Sequence, residues 1–163
     1  MTVLLRDGST SDQDLPLIDV DEPVPAGPHA LTLARWQADT PADAPAALAL
    51  PNTEDPESLA LPWKDLPAIW LEFPSFTDGR AYSQARVLRE RIGFERQILA
   101  RGDVLQDQIF YLSRCGFDAF ELRDDQSLEG CRAALAEFST AYRDSTAAQD
   151  SIFRRRRQQG AAA

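Results

Sequence analysis

From Ala68 onward the apolar positions switch period three times, always in the same order. AIWLEF (68–73) is a short β-branched and aromatic run bounded by prolines, and QILA (97–100) and AFEL (119–122) repeat the signal of a buried strand. Each run leads into helical spacing. Tyr82, Ala85, Leu88 and Ile92 form one stripe over a helix from Arg80 to about Ile92, closed by Gly93. Val104 to Cys115 reads as a second helix, closed by Gly116. Leu128, Cys131, Leu135, Phe138 and Tyr142 mark a third, from Ser127, a candidate cap, to about Tyr142. Strand and helix alternating over short connections predict parallel strands joined by right-handed crossovers. The second helix is apolar on more than one side through Val104, Leu105, Ile109, Phe110, Tyr111 and Leu112, so it either lies deep in the fold or meets another protein.

The first 66 residues carry most of the prolines, in DVDEPVPAGPHA, ADTPADAPAA and PNTEDPESLALP, and read as an irregular acidic part. Between the breaks lie Val3 to Leu5, Ala30 to Trp36 and Ala47 to Leu50. The first two are expected to pair as a peripheral hairpin, and ALAL (47–50) is a further candidate strand of the main sheet. The fold class is α/β: a small three-layer or half-barrel-like domain with a mainly parallel sheet of about four strands. It occupies 1–143 as one domain, with its regular βαβαβα core over 67–143. A flavodoxin-like sheet and a (β/α) barrel open with this same unit. Residues 144–163 lose periodicity and include Arg154 to Arg157, the pattern of a flexible Arg-rich tail.

Composition narrows the function classes. A net charge of −9 speaks against a nucleic-acid partner, and no apolar run approaches the roughly 20 residues that span a bilayer. The first residues lack the basic start and apolar centre of a secretory signal, so a soluble, cytoplasmic protein is expected. Cys115, Cys131 and the single His29 are too few and too far apart for a zinc ribbon, a cysteine-ligated cluster or c-type haem, so no cofactor held by cysteine or histidine is expected. Both thiols read as buried and free. Charge is uneven: residues 1–75 hold 13 acids and 3 bases, whereas 76–163 hold 13 acids and 14 bases, and every base but Lys64 is arginine. Guanidinium is the better fork for oxyanions.

In a parallel sheet, ligands gather beyond the carboxyl ends of the strands. The three loops there are SFTDGR, RGD and RDD, each with arginine and aspartate. Thr77 or Asp78 can cap the helix at Arg80, Gly79 permits close backbone approach, and free N–H groups favour an anion that Arg80 could clasp, with hydroxyls from Tyr82 and Ser83. Arg101, Asp103 and Arg123 would share this edge. Alternatively, Asp78 itself fills the anion position as a structural cap. Arg89 and Arg91 are assigned to the negative helix end or to pairs with Glu90 and Glu95. No Walker loop, Gly-x-Ser-x-Gly or Gly-x-Gly-x-x-Gly occurs. Proton transfer would fall to Asp78, Asp103, Asp124 or Tyr82.

FPSFTDGRAYSQARVLRER (73–91), followed by GDVLQDQIFYLSRCGFDAFEL (102–122), resembles the bacterial family known as domain of unknown function 934. The chain departs from that pattern at Ala81, Gln106 and Leu112, none of them in the Thr-Asp-Gly-Arg core. Proteins similar to this are commonly encoded beside the sirohaem sulfite reductase and are labelled as oxidoreductases of sulfite reduction. The resemblance implies an accessory protein of assimilatory sulfite or sulfate reduction, with sulfite reductase as partner and a small oxyanion as ligand. The residues alone also accommodate a small enzyme on a phosphorylated or sulfonated metabolite, or a scaffolding domain.

Overall fold

The structure, a computed structural model, describes residues 2–12, 15–39 and 45–136. The strands are β1 (Thr2–Leu5), β2 (Thr10–Asp12), β3 (Leu17–Ile18), β4 (Ala30–Thr32), β5 (Ala47–Leu50), β6 (Ala68–Phe73), β7 (Gln97–Gly102) and β8 (Ala119–Glu121). They form one sheet in the order β2-β1-β8-β7-β6-β5-β4-β3. From β3 to β8 every neighbouring pair is parallel and in chain order, while β1 lies antiparallel between β8 and β2. A doubly wound sheet reverses its strand order at a switch point. The run from β3 to β8 has no reversal, which is barrel-type winding.

Chain length requires the sheet to curl. β2 and β3 are its opposite edges, yet only five residue steps separate Asp12 from Leu17. Five steps reach about 18 Å at full extension. A flat sheet of eight strands would hold its edges about 34 Å apart. The edges therefore bend toward each other and make a half-barrel. Its inner face suits the curvature: Ala30, Ala47, Ala49, Ala68 and Ala119 leave room for Trp70, Leu99 and Val3, all buried. The outer face carries larger side chains, among them Leu48, Leu50, Ile69, Leu71, Phe73, Ile98 and Phe120. Against it pack the helices α2 (Arg80–Val87), α3 (Ile109–Cys115) and α4 (Leu128–Ala136), with α1 (Leu33–Ala38) following β4.

Several expectations are corrected. The sheet is mixed and has eight strands rather than about four, and the supposedly irregular N-terminal part supplies five of them. Val3–Leu5 does not pair with the segment from Ala30; β1 sits between β2 and β8, and β4 between β3 and β5. Ala30 to Trp36 is not one strand, because Thr32 ends β4 and caps α1, its Oγ1 accepting from Arg35 N at 3.1 Å. The helix expected from Val104 begins with a tight turn at Gln106–Gln108 before α3. Ile109 and Leu112 are buried, whereas Tyr111 is 55% exposed. Gly93 and Gly116 end their helices in the left-handed region. The expected continuation of the last helix to Tyr142 and the tail at 144–163 lie outside the described residues.

One side chain ties the lower end of the wall together. α2 continues into a wider π-type turn, Leu88–Ile92, which carries Arg89. The Arg89 guanidinium donates to Gly116 O at 2.9 and 2.8 Å, to Phe94 O at 2.5 Å and to Arg96 O at 2.7 Å, and it pairs with the Asp118 carboxylate. Asp118 Oδ2 also accepts from Ile98 N at 3.0 Å. The expected role of Arg89 as partner of Glu90 or Glu95 is thus replaced by an internal clamp, and Arg91 pairs with Glu57 instead.

Gly102 sets the upper end. Its φ is +98°, and a Cβ there would lie 2.6 Å from Phe73 O, the carbonyl that accepts from Asp103 N at 2.8 Å. Strain in this region costs about 1–3 kcal/mol per residue, and the backbone contact adds to it. Gly102→Ala should lower unfolding stability by about 2 kcal/mol or more in urea titration, while Gly79→Ala, whose φ of −85° is ordinary, should change it by less than about 1 kcal/mol.

Candidate functional site

The loops following β6, β7 and β8 lie side by side and are stitched through Asp103. Its Oδ2 accepts from Phe76 N at 2.9 Å, and its Oδ1 pairs with Arg123. Arg123 turns its other edge to Asp125 at 3.0 and 2.6 Å. Gln108 Nε2 donates to Phe76 O at 2.9 Å, and Gln106 N to Gln126 Oε1 at 2.9 Å. Asp103 and Arg123 are thus brought together as predicted residues of one rim, each satisfied by neighbours within it. The Asp125 carboxyl is held low by Arg123.

Arg80 sits elsewhere. Asp78 accepts from the Arg80 backbone N–H at 3.2 Å and grips its guanidinium at 2.6–3.2 Å, which holds the carboxyl well below the usual carboxylate range. Gly79 occupies the cap position itself, and Thr77 bonds Ser75 through their hydroxyls at 2.9 Å. Arg80 and Ser83 line a groove of about 240 Å³ on the outer side, between α2 and the loop after β5. Buried Gln84 fixes that loop by donating to Pro51 O at 2.8 Å and Glu54 O at 2.7 Å. Glu54 and Asp55 also line the groove and work against an anion there.

Arg101 takes a third position, on the inner face. Alternation along β7 puts it with Leu99, and the register sets it beside Glu72 on β6 and level with Glu121 on β8. Its guanidinium lies 4.9 Å from the ring centre of Trp70, and its Nε is 3.3 Å from Glu121 Oε2, off the line of a hydrogen bond. Arg101 Nη1 and Trp70 Nε1 are buried donors with no acceptor among the described residues. Burial pushes the Glu121 carboxyl up, and Arg101 partly opposes that. Glu72, Trp70 and Glu121 escape a reading centred on loops. The signal was the period-two alternation of AIWLEF and QILARG, which places Trp70, Glu72, Leu99 and Arg101 on one face.

Tyr82 belongs to an aromatic cluster, 5.3 Å from Phe73 in an edge contact and 5.2 Å from Tyr111. Burial raises its phenol to about 12 from an ordinary 10.0, so it keeps its proton near neutrality and does not serve as a base there. Cys115 and Cys131 are buried free thiols, each raised mainly by burial. No helix among the described residues is long and apolar enough to cross a membrane.

The family described as bacterial protein of unknown function (DUF934) matches residues 47–153. The chain belongs to that family. The DUF934 match begins with β5 and takes in every residue of the groove, rim and inner row named above; β1 to β4 precede it. No curated protein and no solved structure matches the chain.

Alkaline titration checks the Tyr82 environment. Its folded value lies above the ordinary one, so the stability it contributes is full below pH 10 and is lost as pH rises toward 12. Followed by phenolate absorbance, one ionisation step should appear only as pH approaches 12, and Tyr82→Phe should remove that step.

Proposed function

We propose that this DUF934 chain is an accessory protein of assimilatory sulfite or sulfate reduction that holds a small oxyanion at the mouth of the half-barrel and presents the adjoining rim to a reductase. The observation that carries the binding half is the stacked pair of Arg101 and Trp70, whose Nη1 and Nε1 are both buried and lack an acceptor. An unsatisfied buried donor costs about 1–3 kcal/mol, and one oxyanion offers acceptors to both. The pair sits toward the carboxyl ends of the parallel strands, where barrel-type folds keep their sites. Glu121, raised toward protonation by burial, suits a ligand that is itself a weak acid, because the carboxyl can exchange a proton with it.

The pathway half is supported by family membership together with the likeness of FPSFTDGRAYSQARVLRER to proteins encoded beside sulfite reductase. The rim next to the mouth exposes Phe76 (49%) and Tyr111 (55%) beside the Asp103–Arg123 pair, a mixed apolar and charged surface of the kind partners bind.

Thermal unfolding with sulfite, sulfate, phosphate or acetate tests the site. Sulfite should raise the midpoint of the wild type and of Arg80→Ala, raise that of Trp70→Phe less, and leave Arg101→Met unmoved. An equal response from Arg101→Met, or none from the wild type, would remove the site. A strain lacking the gene should grow on cysteine but poorly on sulfate; full growth on sulfate would remove the pathway role.

A further inference from the structure

We propose that a cavity at the opposite end of the half-barrel, between Trp63–Lys64 and Ile92–Arg96, is a binding site for a planar aromatic anion of mononucleotide size. It encloses about 350 Å³, within the roughly 300–1,000 Å³ of small-molecule sites. It is independent of the oxyanion reading, because its residues precede β6 or join α2 to β7, on the amino-terminal side of the strands that carry Arg101 and Trp70.

Three features define what would fit. The first is charge. In a chain with 26 acids and 17 bases, Arg35, Arg80, Arg86, Arg89, Arg91, Arg101 and Arg123 all have a carboxylate partner. Lys64 and Arg96 line this one cavity together, and neither side chain forms an ion pair or hydrogen bond with any described residue. With Glu95 in the same lining, the two cations leave the opening with a net positive charge, which favours an anion between them. The second is shape. Trp63 and Ile92 are partly buried and pack against the core, over a floor of buried Phe94, so the apolar wall has a fixed indole against which a planar ring can stack. Gly93 lies in the same wall, and a side chain there would project into open space.

The third is the state of the backbone. Arg89 takes the Phe94 and Arg96 carbonyls from within, and Phe94 N donates to Leu88 O at 2.8 Å. The polar groups left to a ligand are therefore mainly side chains: two cations, the Trp63 N–H and the Glu95 carboxylate. Glu95 would repel a bare anion but accepts from a hydroxyl or amino group. Ring, phosphate and ribose hydroxyls on one molecule match this set, which is why a nucleoside monophosphate fits better than inorganic phosphate or a simple aromatic acid.

Calorimetric titration of the full chain with AMP, adenosine and inorganic phosphate tests the assignment. AMP should bind at least tenfold more tightly than either fragment. Arg96→Glu and Lys64→Glu should each weaken AMP at least tenfold, with Lys64→Ala as a milder variant weakening it less, and all three should keep the wild-type unfolding midpoint because both side chains are exposed. Arg101→Met should bind AMP as the wild type does, which separates this site from the mouth. Absence of AMP binding, adenosine or phosphate binding as tightly as AMP, or charge-reversed variants that bind normally would each overturn the assignment.

Discussion

The half-barrel depends on one part-buried guanidinium. Arg89 reaches from the widened end of α2 to the carbonyls of Phe94 and Arg96 at the entry to β7, and to Gly116 and Asp118 at the entry to β8. Its side chain is only 13% exposed, so these groups would otherwise meet little water. A planar fork with five donors can serve several acceptors in fixed directions, which an ammonium on a flexible stem does not. By fixing where β7 and β8 begin, Arg89 also helps set the register that brings Arg101 and Glu121 level at the far end of the same strands.

The two faces of the sheet divide the work. The outer face supplies the large aliphatic and aromatic contacts to α2, α3 and α4, where most of the hydrophobic stabilisation lies. The inner face is mainly alanine, which lets the sheet bend, with Trp70 filling the space left. Stacking Arg101 over that indole places a charge at the edge of an apolar interior. Glu121 neutralises it in part, leaving donors unsatisfied. Small residues inside and large ones outside thus explain both the curvature and why polar chemistry collects at one end of the concave side.

Much of this organisation was legible in the chain. AIWLEF, QILA and AFEL are apolar runs with clear punctuation, and Gly93 and Gly116 mark their helix ends, so β6, β7, β8, α2 and α3 could be read directly. TSD and LI are too short and, for the first, too polar to register as strands, and only long-range pairing makes β2 and β3. Thr32 divides a single apolar run between two kinds of structure, a division that its capping hydroxyl hinted at. The loop aspartates and arginines were visible as a group, yet three loops seen only as neighbours looked like one pocket. Arg80, Arg101 and the Asp103–Arg123 pair in fact face the groove, the interior and the rim. Arg89 was hidden for a simpler reason: in a run of alternating charges nothing in sequence separates an inward arginine from solvated ones.

The central claim is that Arg89 works as a fork and not as a charge, and Arg89→Lys tests it most directly. A lysine there leaves carbonyls of this part-buried cluster without a donor, a loss of about 1–3 kcal/mol for each. Urea unfolding of Arg89→Lys should show most of that loss, against less than about 1 kcal/mol for Arg86→Lys on the exposed side of α2. Equal, small losses in the two variants would contradict the account.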